Sequence, residues 1–476
     1  MISGSLGFFT TRIFVGLLGF AAVAVFSRIA PPEAYGRYAL VMAAAGAVNA
    51  CAFSWMGLFV LRRCNGQQER DTWLPTVIVA YLAMAGALSA VLCGAWLLFQ
   101  GDDTPTLDYF VYLPIVALLL SWFDLSIQMS RARLQAGIFA AKSFAKALLG
   151  FGLGAAFVLM GWVQEGLLLG VCVGLGVVTV IWLRSDVRGI SLAKPKREQV
   201  STLLTFGVPL GASFAVNWVV EFADRFLIFW FLGDGAAAAG AYAMAYDLAK
   251  QPILLLASAC SLVTLPLAAR AYDGAGPRAA QPILAQNLSV LLLVCLPLCL
   301  MEFIAARPIV ELLLGPSYRD TAAAIMPIVA VSVFISALRI YHFDLALHLT
   351  KRTGVIFRLT ALTALVNVAA NLVLIPRYGV VGAAYSSLLA QVGWIVAAFL
   401  IMPRAGVLAV SVKDTLKVLT VAAVFAAGLK LGALESDHLL VQLVPAATLY
   451  LLAVAVLNPA NLMGQLRGGL ARLKRT

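Results

Sequence analysis

The chain has 476 residues, 62% of them apolar, and only 34 Lys or Arg and 22 Asp or Glu. Soluble proteins carry about 25% charged residues, so 12% charge and a mean hydropathy of +0.95 exclude a water-soluble globule, a disordered chain and a nucleic-acid-binding protein. The net charge of +12 is read as marking loops on one side of a bilayer.

At about 20 apolar residues per membrane crossing, fourteen segments emerge in chain order. The first seven are 5–29, 38–61, 73–99, 109–129, 139–160, 166–183 and 204–231. The second seven are 238–267, 284–305, 322–349, 354–375, 380–402, 416–431 and 439–457. The first is read as a retained helix, because no small-residue cleavage site follows it. Six of the seven cysteines lie in apolar runs and none forms a metal-spaced pair, so neither a disulfide framework, a metal site nor a cofactor is expected.

Lys and Arg set the orientation. Loops after even-numbered segments, with their flanking turns (Lys142 and Lys146 among them) and the C-terminal tail, hold 24 of these residues; the opposite side holds 6 and the spans 4. Both termini are therefore expected in the cytoplasm. The connections are too short for a soluble catalytic domain. The longest, residues 184–203, is basic, and its EQVSTLL stretch reads as a helix along the membrane surface.

The halves echo each other. RIAPPEAYGRYALVMA pairs with GDGAAAAGAYAMAYDLA, Gly36 on Gly240, an offset of 204. Pro114 pairs with Pro327 and Gly137 with Gly354, at offsets of 213 and 217 that drift as loop insertions would make them. The expected fold class is an all-α polytopic membrane protein of about 14 transmembrane helices, two parallel six-helix repeats plus two C-terminal helices. The expected domains are an N-lobe at 1–183, a basic linker at 184–203 and a C-lobe at 204–402. A helix pair at 416–457 and a basic tail at 458–476 complete the chain.

NLVLIPRYGVVGAAYSSLLAQVGW resembles a hallmark of the polysaccharide transporter branch of the multidrug/oligosaccharidyl-lipid/polysaccharide exporter superfamily. SRIAPPEAYGRYAL, ADRFLIFWFLG and LLLGPSYRDTA, in the same order as in that family, extend the resemblance along the chain. It implies a flippase of the bacterial cytoplasmic (inner) membrane. The substrate would be a polyprenyl-diphosphate-linked oligosaccharide, carried between leaflets by alternating access for surface polysaccharide synthesis. Polymerase and other assembly proteins are its implied partners, with no nucleic acid.

Ionisable residues inside spans cost about 2.5–3.5 kcal/mol each on insertion scales, so each invites a role. Arg12 reads either as a diphosphate contact, since guanidinium binds phosphate oxygens bidentately, or as a snorkelling surface charge. Lys250, near mid-membrane, reads either as a substrate-binding cation or as the partner of Asp247 three residues earlier. Arg339 completes the candidate cavity cations. Asn217, Glu221, Asp224 and Arg225 share one helical face, with Glu221 as the ion-coupling candidate beside Asp247. His342, Asp344 and His348 have metal-like spacing, but steps of 2 and 6 residues place them about 200° and 240° apart on an α-helix. The faces predicted instead are Arg339 with His342 and Asp344 with His348. An ion-coupled multidrug or organic-cation antiporter is the alternative function. A membrane glycan polymerase is disfavoured by the short outer loops.

Overall fold

The computed structural model describes residues 2–64, 66–99, 111–190, 195–350, 352–401, 410–436 and 438–459. All regular structure among them is helical. In chain order the helices are α1 (Ile2–Ile29), α2 (Pro32–Val48), α3 (Ser54–Arg63), α4 (Gln67–Phe99), α5 (Tyr112–Ala132), α6 (Ala136–Leu159), α7 (Gly166–Val187) and α8 (Arg197–Phe231). There follow α9 (Gly235–Ala275), α10 (Pro277–Ile304), α11 (Ala306–Leu313), α12 (Pro316–Leu338), α13 (Asp344–Leu349), α14 (Thr353–Ile401), α15 (Val412–Glu435) and α16 (Leu439–Leu457). Proline opens α2, α10 and α12, where its missing N–H has no intrahelical partner to lose.

Twelve segments among the described residues are long and apolar enough to cross a membrane. One of them, α14, has 49 residues, about 74 Å at 1.5 Å per residue, more than twice a hydrocarbon core of about 30 Å. Gly379 breaks it at φ 58°, ψ −138°, and a Cβ on Gly382 would lie 2.2 Å from the Leu374 carbonyl oxygen. The second arm therefore runs back against the first, as the Pro-x-x-Gly-x-x-Gly spacing of Pro376, Gly379 and Gly382 implies. With both arms counted, and the shorter apolar stretch Ile13–Ile29 of α1, the crossings match the fourteen segments of the sequence.

Two crossings are bent by single π-helical turns, Asn49–Phe53 between α2 and α3 and Arg339–Phe343 between α12 and α13. A π turn opens the regular hydrogen-bond ladder, and side chains fill the gap. Asn287 donates from Nδ2 to the Tyr341 carbonyl at 2.8 Å, and Ser54 donates to the Asn49 carbonyl at 3.1 Å.

The chain divides into two compact units, Met1–Met244 and Ala245–Thr476, with the boundary inside α9. The first is built on an aromatic core. Tyr81 packs edge-on to Trp122 at 5.3 Å, and Phe59 packs edge-on to both Trp73 and Phe206 at 5.2 and 5.4 Å. In the second, Leu288, Leu292 and Leu293 of α10 meet Val418 and Val421 of α15. The Tyr450 hydroxyl of α16 donates to the Leu293 carbonyl at 2.6 Å, so the two C-terminal helices are packed members of that unit.

The structure corrects three local readings. EQVSTLL forms the first turns of α8, not a surface helix, because Leu203 is fully buried and Gln199 is tied to α4. Its Nε2 donates to the Thr72 carbonyl, and its Oε1 accepts from Thr76. Residues 306–321, read as a loop, hold α11 and the start of α12, fastened by Arg307 to Glu311 and Asp320. Lys142, counted with a loop flank, is 0% exposed and pairs with Asp186 at 2.6 Å. The basic tail, from residue 460 onward, lies outside the described residues, as do Lys194, Lys351 and Arg404.

Lys142 and Asp186 lock α5, α6 and α7 together. The ammonium also donates to the Ser126 and Ser130 hydroxyls at 2.7 and 3.0 Å, and Ser126 donates to the second Asp186 oxygen at 2.6 Å. Removing one member of a buried pair costs about 3–5 kcal/mol, whereas replacing both by apolar groups is close to neutral. Lys142→Met alone is expected to lower the melting temperature of detergent-purified protein markedly. Lys142→Met with Asp186→Leu is expected to recover most of the loss; equal losses in both variants would refute the pairing.

Candidate functional site

The polar stripe of α8 changes character along its length. Asn217 is exposed, Glu221 is half-buried, and Asp224 and Arg225 are buried. Asp224, 2% exposed, accepts from the Tyr242 hydroxyl at 2.7 Å. The Arg225 guanidinium lies 5.0 Å from the Phe222 ring centre. Trp218 donates to the Ala43 carbonyl at 2.8 Å, seating α8 against α2. The far end of the stripe is thus anchored, and Glu221 is the carboxylate at its half-buried middle.

In the second unit, Tyr246 brings two of the expected cations to one place. The Lys250 ammonium lies 5.8 Å from the Tyr246 ring centre, and Tyr246 is within electrostatic range of Arg339. Asp247 stands on the same helix, half-buried. Arg339 is only 5% exposed; its guanidinium lies 5.9 Å from the Trp394 ring centre, and its charge is opposed by Asp344.

The Arg339–Asp344 juxtaposition departs from the α-helical faces expected of the sequence. Inside a π turn the spacing that stacks residues is five, not four, which brings Asp344 within electrostatic range of Arg339, and His342 is buried. The Arg339 Nε and Nη1, the His342 Nδ1 and the Trp394 Nε1 are buried without a hydrogen-bond partner, a concentration of polar groups at one bend. Arg12 stands on α1, but its side chain lies outside the described residues.

Two residues escaped the sequence reading. Lys146, ten residues into α6, is the sole charged residue, among the described residues, lining a cavity of about 350 Å³ between α1, α2, α5, α6 and α7. Its ammonium lies 4.4 Å from the Phe123 ring centre, within electrostatic reach of Asp124, and Asp124 accepts from Asn49 at 2.6 Å. A basic residue near a span end reads as a flank in sequence; only the packing of five helices turns it inward. Glu302, near the end of α10, is 2% exposed, and its Oε2 has no hydrogen-bond partner. Its position two residues from the span end concealed it. Among the described residues no group of three or more His, Cys, Asp or Glu could hold a metal ion.

The start of α2 crosses the start of α9 with the backbones in contact. A Cβ on Gly36 would lie 1.7 Å from the Ala236 oxygen, and one on Gly240 would lie 2.0 Å from the Pro32 oxygen and 2.6 Å from the Gly36 nitrogen. Pro32 with Ala236, and Gly36 with Gly240, are related by the same offset of 204. The repeat therefore meets itself through equivalent residues, the self-complementary pattern of a two-fold contact.

Residues 25–323 match the family model described as polysaccharide biosynthesis protein. The chain belongs to that family. A comparison with curated proteins returns no match. Among solved structures, the lipid II flippase MurJ in an inward closed conformation matches this family member at a TM-score of 0.79 and 13% identity, covering 96% of this chain and 98% of that one. An inward-facing multidrug resistance MATE family transporter of the MOP superfamily matches at 0.63 and 13% identity, covering 83% and 98%. A MOP superfamily transporter from Pyrococcus furiosus Vc1 matches at 0.55 and 15%, covering 85% and 92%. At such identities the likeness establishes a shared fold, that of a multi-pass membrane transporter.

In this family member the glycine crossing leaves no room for even one methyl group on either side. Gly36→Ala and Gly240→Ala are each expected to push the helices apart at a cost of about 1–3 kcal/mol, the range for overpacking. Melting temperatures of the purified variants test this; values unchanged from the parent would show that the two helices do not touch.

Proposed function

We propose that the protein is a flippase that moves polyprenyl-diphosphate-linked oligosaccharide repeat units from the cytoplasmic to the periplasmic or outer leaflet by alternating access. It serves surface polysaccharide synthesis (O-antigen, capsule or exopolysaccharide) in a bacterial inner membrane, with both termini in the cytoplasm. The observation that carries this reading is a polysaccharide biosynthesis family chain folded end to end like a lipid II flippase.

The charge pattern supports it. Lys250 and Arg12 are the cations assigned to the diphosphate, and Lys146, in its apolar cavity, is added to them. A cation in an otherwise apolar wall suits an anionic head carried beside an apolar tail. Arg339, held under Trp394, acts through its charge at Tyr246 rather than by contact. Glu221 and Asp247 are assigned to ion coupling. The contact of Gly36 with Gly240 forms the outer seal, and the lobes at 1–183 and 204–402 are the bodies that move around it.

The multidrug antiporter remains the competing reading, supported by the MATE matches over 83% of the chain. Lys146, in a cavity whose other described lining residues are uncharged and mostly apolar, favours an anionic cargo over an organic cation.

Deletion of the gene is expected to trap completed lipid-linked repeat units on the cytoplasmic leaflet and to abolish surface polysaccharide. Lys250→Ala and Lys146→Ala are each expected to cut export about tenfold or more, with the protein still present in the membrane. Normal export in the deletion strain would reject the flippase. Full complementation by both single variants, by Arg12→Ala and by the combined variant would reject the cation assignment. Glu221→Gln is expected to abolish any dependence of transport on an ion gradient; an unchanged dependence would reject its coupling role.

A further inference from the structure

At one end of the first unit, the beginning of α4, the α5–α6 turn and the end of α7 enclose a polar cavity of about 510 Å³. Arg70 and Asp71 line it from α4, Arg133 and Gln135 from the turn, and Ser185 and Arg188 from α7 and the residue after it. Three arginines thus face one aspartate. The size falls within the range of about 300–1,000 Å³ typical of ligand pockets.

Arg133 is held in place. Its Nη1 donates to the Ser185 carbonyl at 3.1 Å and its Nη2 to the Asp186 carbonyl at 2.9 Å. These bonds fix the guanidinium without neutralising it. The Asp186 carboxylate is turned inward, onto Lys142 and Ser126. The buried clamp thereby withdraws from the cavity the negative charge that would have balanced it. Burial lowers the proton affinity of the Arg133 guanidinium; Asp186 restores part of it, and the like charge of Arg70 lowers it further. Among the described residues, neither Arg133 nor Arg188 makes an ion pair within 4 Å. Gly189, at φ 79°, turns the chain immediately after α7, which puts Arg188 on the cavity rim.

The depth of the site points to its ligand. By length and composition the helical segments able to cross a bilayer begin at Glu69 in α4 and end at Ala132 in α5 and Val187 in α7, so Arg70, Arg133 and Arg188 all stand within one residue of the end of such a segment. That is the level of phospholipid headgroups, where basic pockets between helices bind lipid phosphates.

We infer that this cavity binds a phosphate-bearing headgroup through Arg70, Arg133 and Arg188, and that an anionic phospholipid is its resident ligand. The site is separate from the transport cations and does not rest on the flippase reading. Guanidinium groups suit it because they bind phosphate oxygens bidentately and keep their charge when partly buried.

The test is native mass spectrometry and thermal melting of the full chain in phosphatidylcholine nanodiscs, with and without phosphatidylglycerol, and with inorganic phosphate or pyrophosphate added in place of the anionic lipid. Retention of phosphatidylglycerol and a raised melting temperature are expected for the parent protein. Arg70→Gln and Arg188→Gln should each weaken retention about fivefold, the effect of about 1 kcal/mol per basic residue. Arg358→Gln, which removes an exposed arginine from the other unit, should leave it unchanged. Stabilisation by pyrophosphate at the same arginines would uphold the phosphate site and assign it to a diphosphate head instead of a resident phospholipid. Should the Gln variants fold poorly in phosphatidylcholine alone, Arg188→Lys keeps the charge and is expected to retain lipid more weakly than the parent. Equal loss in Arg358→Gln, or no stabilisation of the parent by any of the three probes, would overturn the proposal.

Discussion

Hydrocarbon offers no hydrogen bonds, so every backbone polar group in a spanning segment must find its partner within the protein. Among the described residues, sixteen helices satisfy most of that demand, and the informative places are those where the helical ladder opens. At Arg339–Phe343 the freed Tyr341 carbonyl is taken by Asn287, whose Oδ1 in turn accepts from Thr264. At Asn49–Phe53 the side chain of Asn49 reaches Asp124, and Ser54 covers the Asn49 carbonyl. Each bend therefore draws a polar side chain from a neighbouring helix into the interior.

The same demand sorts the charges. Lys142 and Asp186 satisfy one another together with two serine hydroxyls, and that closed network holds three helices. Asp224 is satisfied by Tyr242 and serves to seat α9 on α8. Lys146, Lys250 and Arg339 differ from these in lying against aromatic rings at 4.4, 5.8 and 5.9 Å. A ring face stabilises a cation without neutralising it, and such a charge can still bind an anion. Arg225, 5.0 Å from the Phe222 ring centre, shares this placement at the anchored end of α8.

Fold and family contribute different parts of the functional reading. The fold is shared with flippases and with multidrug transporters, so by itself it selects no cargo. Family membership ties the chain to polysaccharide synthesis, and the proposal of an anionic lipid cargo rests on the inner cations. The glycine crossing brings residues at the same offset of 204 into contact.

Much of this was legible in the residues. Hydropathy alone determined the number of crossings, because a segment of about 20 apolar residues has no stable place outside a bilayer. The Gly36 and Gly240 repeat and the turn at Gly379 were readable too, since only glycine tolerates such approach or such φ. The tertiary structure decided what periodicity could not. A single π turn brought Asp344 within electrostatic range of Arg339, and a five-helix cavity turned Lys146 from a flank into an inner cation. The pairing of Lys142 with Asp186, 44 residues apart, turned the Asp186 carboxylate away from a pocket lined by three arginines and one aspartate. Such outcomes depend on contacts between helices distant in sequence, and one α-helical register applied along the whole chain carries no information about them.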